Sequence, residues 1–432
     1  MPTTLKIHSL KAKAGQKFHR LQTCLYSNQI EHVAQQDLED SRCAFVAAGA
    51  GRLPGVYCRE QLMSVRFLST RWSEAFKANN ISHAALEELF LQELLHLKNS
   101  KTTLVGLANE AVRWVHGDAD GIPGIVIDDY GPIVVIQSGS QFGDFLMPFV
   151  LSALLKATDQ PVFERSSGQI RALEKLPERT RWIREPGNQT ERTQLEIVTT
   201  TLSGLKLSFR PQRCQKTGLF IDQRENLELF RKLTRSFQAR SMLDLCSYVG
   251  AWSCAGAAAG IADFTLVDQD KDALEMAQHN VAANVANGIL HRVQAHHGDL
   301  FEILSRLGKD KPRFDAVVAD PPAFTKSAKH IPEASRAYQR LTKLASRLVA
   351  DNGIYVACSC SRHIDEEEFF KIVSESLDAD DWVYIGRGRQ SPDHSVLATD
   401  KQSLYLKALY FVRRGALNLL HSRDASQRGV QN

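Results

Sequence analysis

The sequence predicts an α/β protein whose carboxyl-terminal half forms a Rossmann-like, doubly wound sheet. From about residue 205, short runs of branched and aromatic residues alternate with helical stretches, which is typical of a parallel sheet covered by helices. Polar residues follow several of these runs, and ligands bind such sheets beyond the carboxyl ends of the strands. The first 204 residues lack this alternation, so we expect separate modules there.

Six runs are predicted as strands of this sheet: SMLDLCS, DFTLVDQD, ILHRVQAHH, RFDAVVAD, GIYVACS and WVYIGRG. The helices predicted between them span 252–260, 271–286, 299–308, 333–350 and 365–376. Apolar residues at helical spacing predict a further helix from Ile81, with Ser82 as its N-cap. The domains expected are a β-rich module at 1–70, a central α/β module at 71–204, the sheet domain at 205–414 and a flexible tail at 415–432.

Composition excludes several classes of protein. Of the 432 residues, 43% are hydrophobic and 24% charged, and no apolar run is long enough to cross a membrane. The amino terminus has no secretion signal, so we expect a cytoplasmic protein. The eight cysteines form no zinc pattern, which predicts reduced thiols and no metal. Residues 1–70 carry nine Lys and Arg against five Asp and Glu, either a solvated face or a nucleic-acid contact.

The first strand ends of the sheet favour S-adenosylmethionine as a ligand. Asp244, Ser247 and Gly250 lie in the turn LDLCSYVGAWS, which has one glycine and offers no cradle for a pyrophosphate. Asp268 stands at the tip of the next strand, where a carboxylate can accept both hydroxyls of a ribose. Asp299 could meet the adenine, or cap the following helix, or do both.

The fourth and fifth strand ends indicate chemistry on a base. Asp320 precedes two prolines that stiffen its turn, which suits a carboxylate that binds the edge of a planar base. Cys358 and Cys360 follow in IYVACSCSRH, and a thiolate that adds to carbon 6 of cytosine activates carbon 5 for methylation. Strand periodicity cannot choose between the two thiols. We expect Cys360, nearer the strand end, to be the more accessible and Cys358 to be a core residue; both could also be core thiols.

These motifs resemble a known family, the PUA-domain-containing cytosine-5 methyltransferases of large-subunit ribosomal RNA. The resemblance covers nearly the whole chain and rests on QKTGLFIDQRENLEL, DLCSYVGAWS, VDQD, DPPAF, CSCS, DHSVLATDKQSLYLKALYF and GDADGIPGIVIDDYG. It implies an amino-terminal PUA-like barrel, a central α/β module and a class I methyltransferase domain that binds S-adenosylmethionine. The His-Pro-Trp signal usual in the amino-terminal module is absent here.

The resemblance also implies roles for particular residues. Cys360 would be the nucleophile and Asp320 would act at the reaction site, while Ala323 replaces the second cysteine of the two-cysteine RNA methyltransferases. The acceptor of the carbon 5 proton is therefore open between Asp320 and a water. The resemblance implies that Asp222, Arg224, Ser247, Tyr248, Asp268 and Asp299 bind S-adenosylmethionine, and we expect Asp244, Gly250 and Gln269, at the same strand ends, to belong to the binding site as well.

The expected partner is ribosomal RNA that presents a single-stranded or splayed-out cytosine, with a homodimer as a candidate assembly. Three alternatives compete with this hypothesis. A guanine-N7 ribosomal RNA methyltransferase shares the DPPxF segment but needs no nucleophile, so Cys360 argues against it. A catalytically silent RNA-binding protein of ribosome assembly would not need Asp268, Asp320 and Cys360 together. A small-molecule methyltransferase would have little use for two additional domains.

Overall fold

The computed structural model describes residues 4–13, 23–31, 33, 42–106, 109–286, 290–325, 327–378, 381–400 and 403–416. The chain divides into two compact units. The first contains residues 1–198, 210–219 and 392–401, and the second contains 199–209, 220–391 and 402–432. The predicted tail lies outside the described residues from position 417 onward. Within the described ranges, no helix is both long and apolar enough to span a bilayer.

The first unit opens with a six-stranded sheet. Its strands are β1 (Thr4–Leu10), β2 (Cys24–Tyr26), β3 (Cys43–Ala48), β4 (Leu53–Cys58), β5 (Met63–Phe67) and β6 (Asn80–Ser82). Their order is β2-β5-β4-β3-β1-β6, with β1 and β3 parallel. Because β6 pairs with β1 and places Ile81 opposite Leu5, the sheet continues past the boundary predicted at residue 70. The PUA-like barrel remains a prediction.

The expectation that all eight cysteines are reduced is wrong. Cys43 and Cys58 form a disulfide. They lie opposite each other in the antiparallel pair β3–β4, with their Cα atoms 4.1 Å apart. The other six cysteines, all within the described residues, form no disulfide there. The pairing depends on the register of the hairpin, which the spacing of the cysteines in the sequence does not show.

A second, five-stranded sheet completes the first unit, in the order β11-β10-β9-β8-β7. The elements are α1 (His83–Val105), β7 (Val112–His116), β8 (Ile125–Asp129), β9 (Val134–Ser138), α2 (Gln141–Ala157), β10 (Val162–Ser166), α3 (Gln169–Leu173), β11 (Arg179–Arg184) and α4 (Gln189–Gln194). The side chain of Ser82 accepts a hydrogen bond from Ala85 N, which confirms the predicted N-cap of α1.

Two later segments of chain belong to this first unit through buried hydrogen bonds. Thr217 Oγ1 donates to Asp128 Oδ2 at 2.5 Å, and Leu219 N donates to the Tyr130 hydroxyl at 3.1 Å. The carboxylate of Asp393 accepts from Arg113 N at 2.9 Å. Residues of GDADGIPGIVIDDYG thus hold the segment that leads into FIDQR.

The second unit contains a hairpin and the predicted Rossmann-like sheet. Its elements are β12 (Val198–Leu202), β13 (Leu205–Phe209), α5 (Arg224–Ser236), β14 (Ser241–Leu245), α6 (Ala251–Ala259), β15 (Asp263–Asp268), α7 (Lys271–Asn284), β16 (Arg292–His297), α8 (Leu300–Asp310), β17 (Phe314–Ala319), α9 (Ile331–Ser346), β18 (Val349–Ser359), α10 (Glu366–Ser374), β19 (Trp382–Arg389) and β20 (Lys407–Arg413). All six predicted strands and the five helices predicted between them are confirmed, with small differences at their ends.

The sheet order is β16-β15-β14-β17-β18-β20-β19, so the connection reverses between β14 and β17. Strands β14 to β18 run parallel, and their carboxyl ends share one edge of the sheet. The last strand, β20, was not predicted; it inserts antiparallel between β18 and β19. In doubly wound sheets, the reversal point is where ligands bind.

Candidate functional site

The candidate residues of the sheet domain gather at the carboxyl ends of adjacent strands. Leu245 at the end of β14 lies opposite Ala319 of β17, and Ala319 lies opposite Ala357 of β18. Asp320 and Cys360 therefore leave the sheet at the same edge, on neighbouring strands. Asp268 ends β15 on the other side of β14.

Asp244 is a buried carboxyl inside this edge. It is fully buried, and Ser253 Oγ donates to its Oδ2 at 2.6 Å. Its Oδ1 has no hydrogen-bond partner among the described residues. Burial, together with the charges of Asp320 and Asp268, raises the pKa of Asp244 to about 7. An unpaired buried acceptor is costly, so this oxygen indicates a place for a donor from a ligand.

The turn after β14 is wound tightly enough to need its glycine. Gly250 is the N-cap residue of α6 and has a φ of 80°, and a Cβ there would stand 2.9 Å from the Cβ of Ala277. Ser247 is buried, and its Oγ has no hydrogen-bond partner within the described parts of the chain. The Tyr248 ring packs 5.1 Å from the ring of Phe220, centroid to centroid.

Asp268 is fixed by backbone donors, as a ribose-binding carboxylate would need to be. Its Oδ2 accepts from Tyr248 N at 2.8 Å and its Oδ1 from Asp270 N at 2.9 Å. Burial nevertheless raises the pKa of Asp268 above its usual value. Gln269 is exposed beside it, and His297 Nε2 donates to its carbonyl at 3.1 Å.

Asp299 is the N-cap of α8. Its Oδ1 accepts from Phe301 N at 2.9 Å and from Glu302 N at 3.0 Å, which confirms the capping alternative. The residue is exposed. A capping carboxylate keeps its other oxygen for a further donor, so the cap does not exclude a contact with adenine. That contact stays a prediction.

Asp222 and Arg224 lie where the chain enters α5. The carboxylate of Asp222 is buried and accepts from the Tyr405 hydroxyl at 2.6 Å. Arg224 is the first residue of α5, and its carbonyl accepts from Ser203 Oγ at 2.9 Å. Tyr405 was not predicted as a site residue, although it lies within the quoted stretch SLYLKALYF.

Asp320 is held by two neutral donors that sequence reasoning missed. Gln223 Nε2 donates to its Oδ2 at 2.8 Å, and Trp252 Nε1 donates to the same oxygen at 3.0 Å. Both donors lie inside motifs that carried the resemblance, FIDQR and DLCSYVGAWS. These contacts fix the carboxylate that follows β17, in addition to the stiffening by Pro321 and Pro322.

The two cysteines differ in exposure as expected. Cys358 is 1% exposed, and burial raises the pKa of its thiol well above the ordinary value, so it is a core thiol. Cys360 is half-buried and stands one residue beyond the end of β18. The Tyr338 hydroxyl hydrogen-bonds to Ser359 Oγ at 2.9 Å and to Ser361 Oγ at 3.1 Å, which fixes the backbone on both sides of Cys360.

Lys407, on the unpredicted strand β20, completes the surroundings of Cys360. Its ammonium group is buried and donates to Ser361 O at 2.6 Å and to Ile364 O at 2.7 Å. A lysine inside the apolar run LYLKALYF was the signal available in the sequence. Among the described residues, no group of His, Cys, Asp or Glu is arranged to hold a metal ion.

The residues at this edge fit S-adenosylmethionine. This molecule carries positive charge at its sulfonium and at its amine, and Asp244, Asp268 and Asp320 bring carboxylates close enough to influence one another. Asp244 Oδ1, an acceptor, and Ser247 Oγ, which can donate or accept, are buried and have no hydrogen-bond partner among the residues that the structure describes. A fold with a reversal point between β14 and β17, and acidic strand ends around it, defines a class I methyltransferase domain.

Comparison with known proteins agrees with this class. Residues 155–412 match the family of S-adenosylmethionine-dependent methyltransferases. The chain is 32% identical over 327 residues to a Methanocaldococcus jannaschii protein whose name assigns it provisionally as a ribosomal RNA large subunit methyltransferase, covering 75% of this chain and 80% of that protein. It is 29% identical to ribosomal RNA large subunit methyltransferase I of Klebsiella pneumoniae, covering 75% of this chain and 79% of the relative.

Solved structures share the fold over almost the entire chain. A Streptococcus mutans protein, provisionally described as an S-adenosylmethionine-dependent methyltransferase, superposes with a TM-score of 0.71 at 18% identity, over 94% of this chain and 100% of that chain. A second methyltransferase-like structure, complexed with S-adenosylhomocysteine, gives a TM-score of 0.70 at 17% identity with the same coverage. The chain belongs to the family of S-adenosylmethionine-dependent methyltransferases, and S-adenosylmethionine is its cofactor.

Proposed function

We propose that this methyltransferase modifies carbon 5 of a cytosine in large-subunit ribosomal RNA, with Cys360 as its nucleophile. The proposal depends on the half-buried thiol of Cys360, just beyond the end of β18. The neighbouring strand, β17, ends directly before Asp320. The names of the Methanocaldococcus and Klebsiella relatives, which refer to large-subunit ribosomal RNA, support the substrate. Cytoplasmic residence fits this substrate and stays part of the proposal.

The chemistry requires a nucleophile because carbon 5 of cytosine does not accept a methyl group unaided. Cys360 Sγ, as a thiolate, forms a bond to carbon 6 and moves the electron pair of the 5,6 double bond onto carbon 5. When bound, S-adenosylmethionine would supply an electrophilic methyl group to this carbon, and the break of the bond from sulfur to the methyl group would leave S-adenosylhomocysteine. Loss of the carbon 5 proton then restores the double bond as the bond from Sγ to carbon 6 breaks, which regenerates Cys360.

Asp320 would bind the hydrogen-bonding edge of the cytosine. Gln223 and Trp252 occupy its Oδ2, so the carboxylate is oriented before the base arrives. The structure has an alanine, Ala323, where a second cysteine would serve as a base. We assign the removal of the carbon 5 proton to Asp320 or to a water that it orients.

The cofactor would lie across the ends of β14 and β15. In this proposal, Asp244 receives its amine and Ser247 Oγ its carboxylate end, while Asp268 binds the ribose hydroxyls and Asp299 the adenine. Tyr248 and Gly250 lie in the turn after β14, Gln269 follows Asp268 at the end of β15, and Asp222 and Arg224 lie where the chain enters α5. The buried Asp244 Oδ1 and Ser247 Oγ, which find no hydrogen-bond partner within the described part of the chain, support this arrangement.

RNA would reach the thiol across a basic rim, which we define as Lys329 and Arg362. Both side chains are exposed, and they lie in the loops that follow Asp320 and Cys360. Phosphate contacts of this kind hold RNA without reading its sequence. In the first sheet, Arg66 is already paired with Asp118 and Arg52 binds the carbonyls of Phe76 and Ala78, so these two arginines are engaged within the protein. Lys17 and Arg20 lie outside the described residues.

The product nucleoside tests this proposal. The protein is incubated with large-subunit ribosomal RNA and isotope-labelled S-adenosylmethionine, and the RNA is digested and analysed by mass spectrometry. We expect label in 5-methylcytidine, no product with Cys360→Ala, and retained product with the matched control Cys358→Ala. Label in 7-methylguanosine that survives Cys360→Ala would favour the guanine-N7 alternative. Cofactor binding without any labelled RNA would favour the silent RNA-binding alternative.

A further inference from the structure

The ammonium group of Lys407 is buried beneath the turn that carries Cys360. The residue is 3% exposed, and its Nζ donates to Ser361 O at 2.6 Å and to Ile364 O at 2.7 Å. These two carbonyls bracket the segment that follows the thiol. Lys407 also lies directly opposite Ser359 in the antiparallel pair of β18 and β20. Its position therefore places a positive charge against the backbone that directly follows Cys360.

Burying an ammonium group on neutral acceptors is unfavourable unless a negative charge compensates it. Burial lowers the pKa of Lys407 to about 8, and the negative charges that oppose this effect come first from the Cys360 thiolate and then from Asp365 and Glu366. The two carboxylates interact with other groups. Asp365 caps α10 by accepting from Glu368 N, and Glu366 forms an ion pair with Arg387. The buried ammonium group of Lys407 is compensated by a negative charge when Cys360 is a thiolate. It loses this compensating charge when the thiol is protonated.

We infer that Lys407 is a positioning residue that fixes the turn after β18 and stabilises the Cys360 thiolate. This inference rests on the proposed function, in which that thiolate adds to the base. Lys407 does not touch the substrate in this account; it acts through Cys360. An opposite charge close to a thiol favours the ionised form, and the effect is larger where water is excluded.

The other titratable groups around Cys360 do not supply this charge. Cys358 from β18 and Tyr338 from α9 are neutral at pH 7, because burial raises the pKa of Cys358 well above its usual value and that of Tyr338 to about 12. Asp320 from the end of β17 and the two acids of α10 oppose ionisation of the thiol. Arg362 and His363, in the turn itself, are exposed and thus screened by water.

Alkylation of Cys360 tests the inference without RNA or cofactor. The full-length protein is treated with iodoacetamide between pH 5 and 10, and the Cys360 peptide is quantified by mass spectrometry, with the Cys24 peptide as the internal reference. The thiolate is the reacting species, so the pH profile reports the pKa of Cys360. With Lys407→Met, which removes the charge but keeps the length, we expect the profile to move to higher pH and the rate at pH 7 to fall about tenfold. Lys407→Arg, which keeps the charge, should stay closer to the wild-type profile.

A matched control separates charge from packing. Tyr338→Phe removes a hydroxyl on α9 that hydrogen-bonds to the same turn, and it removes no charge, so its alkylation profile should stay at the wild-type position. If Lys407→Met leaves the profile unchanged, or if Tyr338→Phe moves it equally, Lys407 has no electrostatic role. Should Lys407→Met not fold, the reciprocal measurement decides: Cys360→Ser should lower the pKa of Lys407, followed by NMR of labelled lysine, and an unchanged value would overturn the inference.

The reaction itself gives a second readout. In the assay that yields 5-methylcytidine, Lys407→Met should lower kcat, leave the KM for RNA near its wild-type value, and move the acidic limb of the rate profile to higher pH. A shifted alkylation profile without any 5-methylcytidine in the wild type would retain the pairing of Lys407 and Cys360 but refute the proposed function. The reverse outcome, product with no shift, would refute only the role of Lys407.

Discussion

At the scale of single residues, the protonation state of Asp244 should affect how tightly the site binds its cofactor. Its raised pKa of about 7 arises from burial and from the neighbouring carboxylates. A folded-state pKa above the usual value for aspartic acid means that the native protein holds the proton as the pH falls below about 7. A cationic amine prefers the ionised form, so binding it below that pH must release a proton.

We therefore predict that the affinity for S-adenosylhomocysteine, which carries the same amine, rises with pH. Isothermal titration calorimetry should give a dissociation constant about tenfold higher at pH 6 than at pH 8, since one pKa unit separates pH 6 from the midpoint. The enthalpy at pH 6 should also depend on the buffer, because a proton is released. Asp244→Asn should bind more weakly and lose most of this pH dependence. Equal affinities at pH 6 and pH 8 in the wild type would contradict a direct role for Asp244.

Several site residues could be found from the sequence because they end apolar strands. Asp268, Asp320 and Cys360 each follow such a run, and the parallel register brings these ends together. Gln223, Trp252 and Lys407 could not be assigned in the same way. Their roles depend on which distant side chain or carbonyl they reach, and no local pattern encodes that contact. Cys43 and Cys58 show the same limit, since their pairing follows from the register of two strands.

At the scale of elements, the loops after β17 and β18 carry both the proposed chemistry and the basic rim. We predict that the double variant Lys329→Gln, Arg362→Gln weakens binding of single-stranded ribosomal RNA fragments and leaves S-adenosylhomocysteine binding unchanged. The plot of log affinity against log salt should become less steep by about 1.4, since each phosphate contact on a single strand contributes about 0.7. Fluorescence anisotropy over a range of salt concentrations measures this slope.

The control for this prediction lies at the opposite edge of the sheet. Lys309 and Lys311 are exposed and lie just before the start of β17, away from the strand ends that hold Asp320 and Cys360. Lys309→Gln with Lys311→Gln removes the same charge. If this variant reduces RNA affinity and the salt slope as much as the rim variant does, general electrostatic attraction explains binding and the rim has no particular role.

The strands and helices of the second unit were largely predictable, since branched and aromatic runs alternate with helical periodicity there. Strand β20 was not, because an antiparallel strand that returns between β18 and β19 depends on long-range pairing. Yet β20 carries Lys407, so the unpredicted element brings a buried charge to the turn of Cys360. The extent of the first sheet was not predicted either, because β6, which pairs with β1, lies after the boundary expected at residue 70.

At the scale of the whole molecule, the family fixes the cofactor and the class of reaction, and the two units divide the chain differently from the three predicted modules. The PUA-like barrel and the homodimer remain predictions. The central claim is narrower than these: Cys360 forms a covalent bond to the base that is methylated. It can be tested on the complete protein.

The most direct measurement traps that bond with RNA that contains 5-fluorocytidine. After addition of Cys360 and transfer of the methyl group, carbon 5 holds fluorine in place of its proton, so elimination is blocked and the adduct persists. We predict a cofactor-dependent complex that survives denaturation, with the RNA mapped by peptide mass spectrometry to Cys360, and none with Cys360→Ala. If wild-type enzyme that forms 5-methylcytidine on ordinary RNA gives no adduct, or gives one at Cys358, the account of the nucleophile is contradicted.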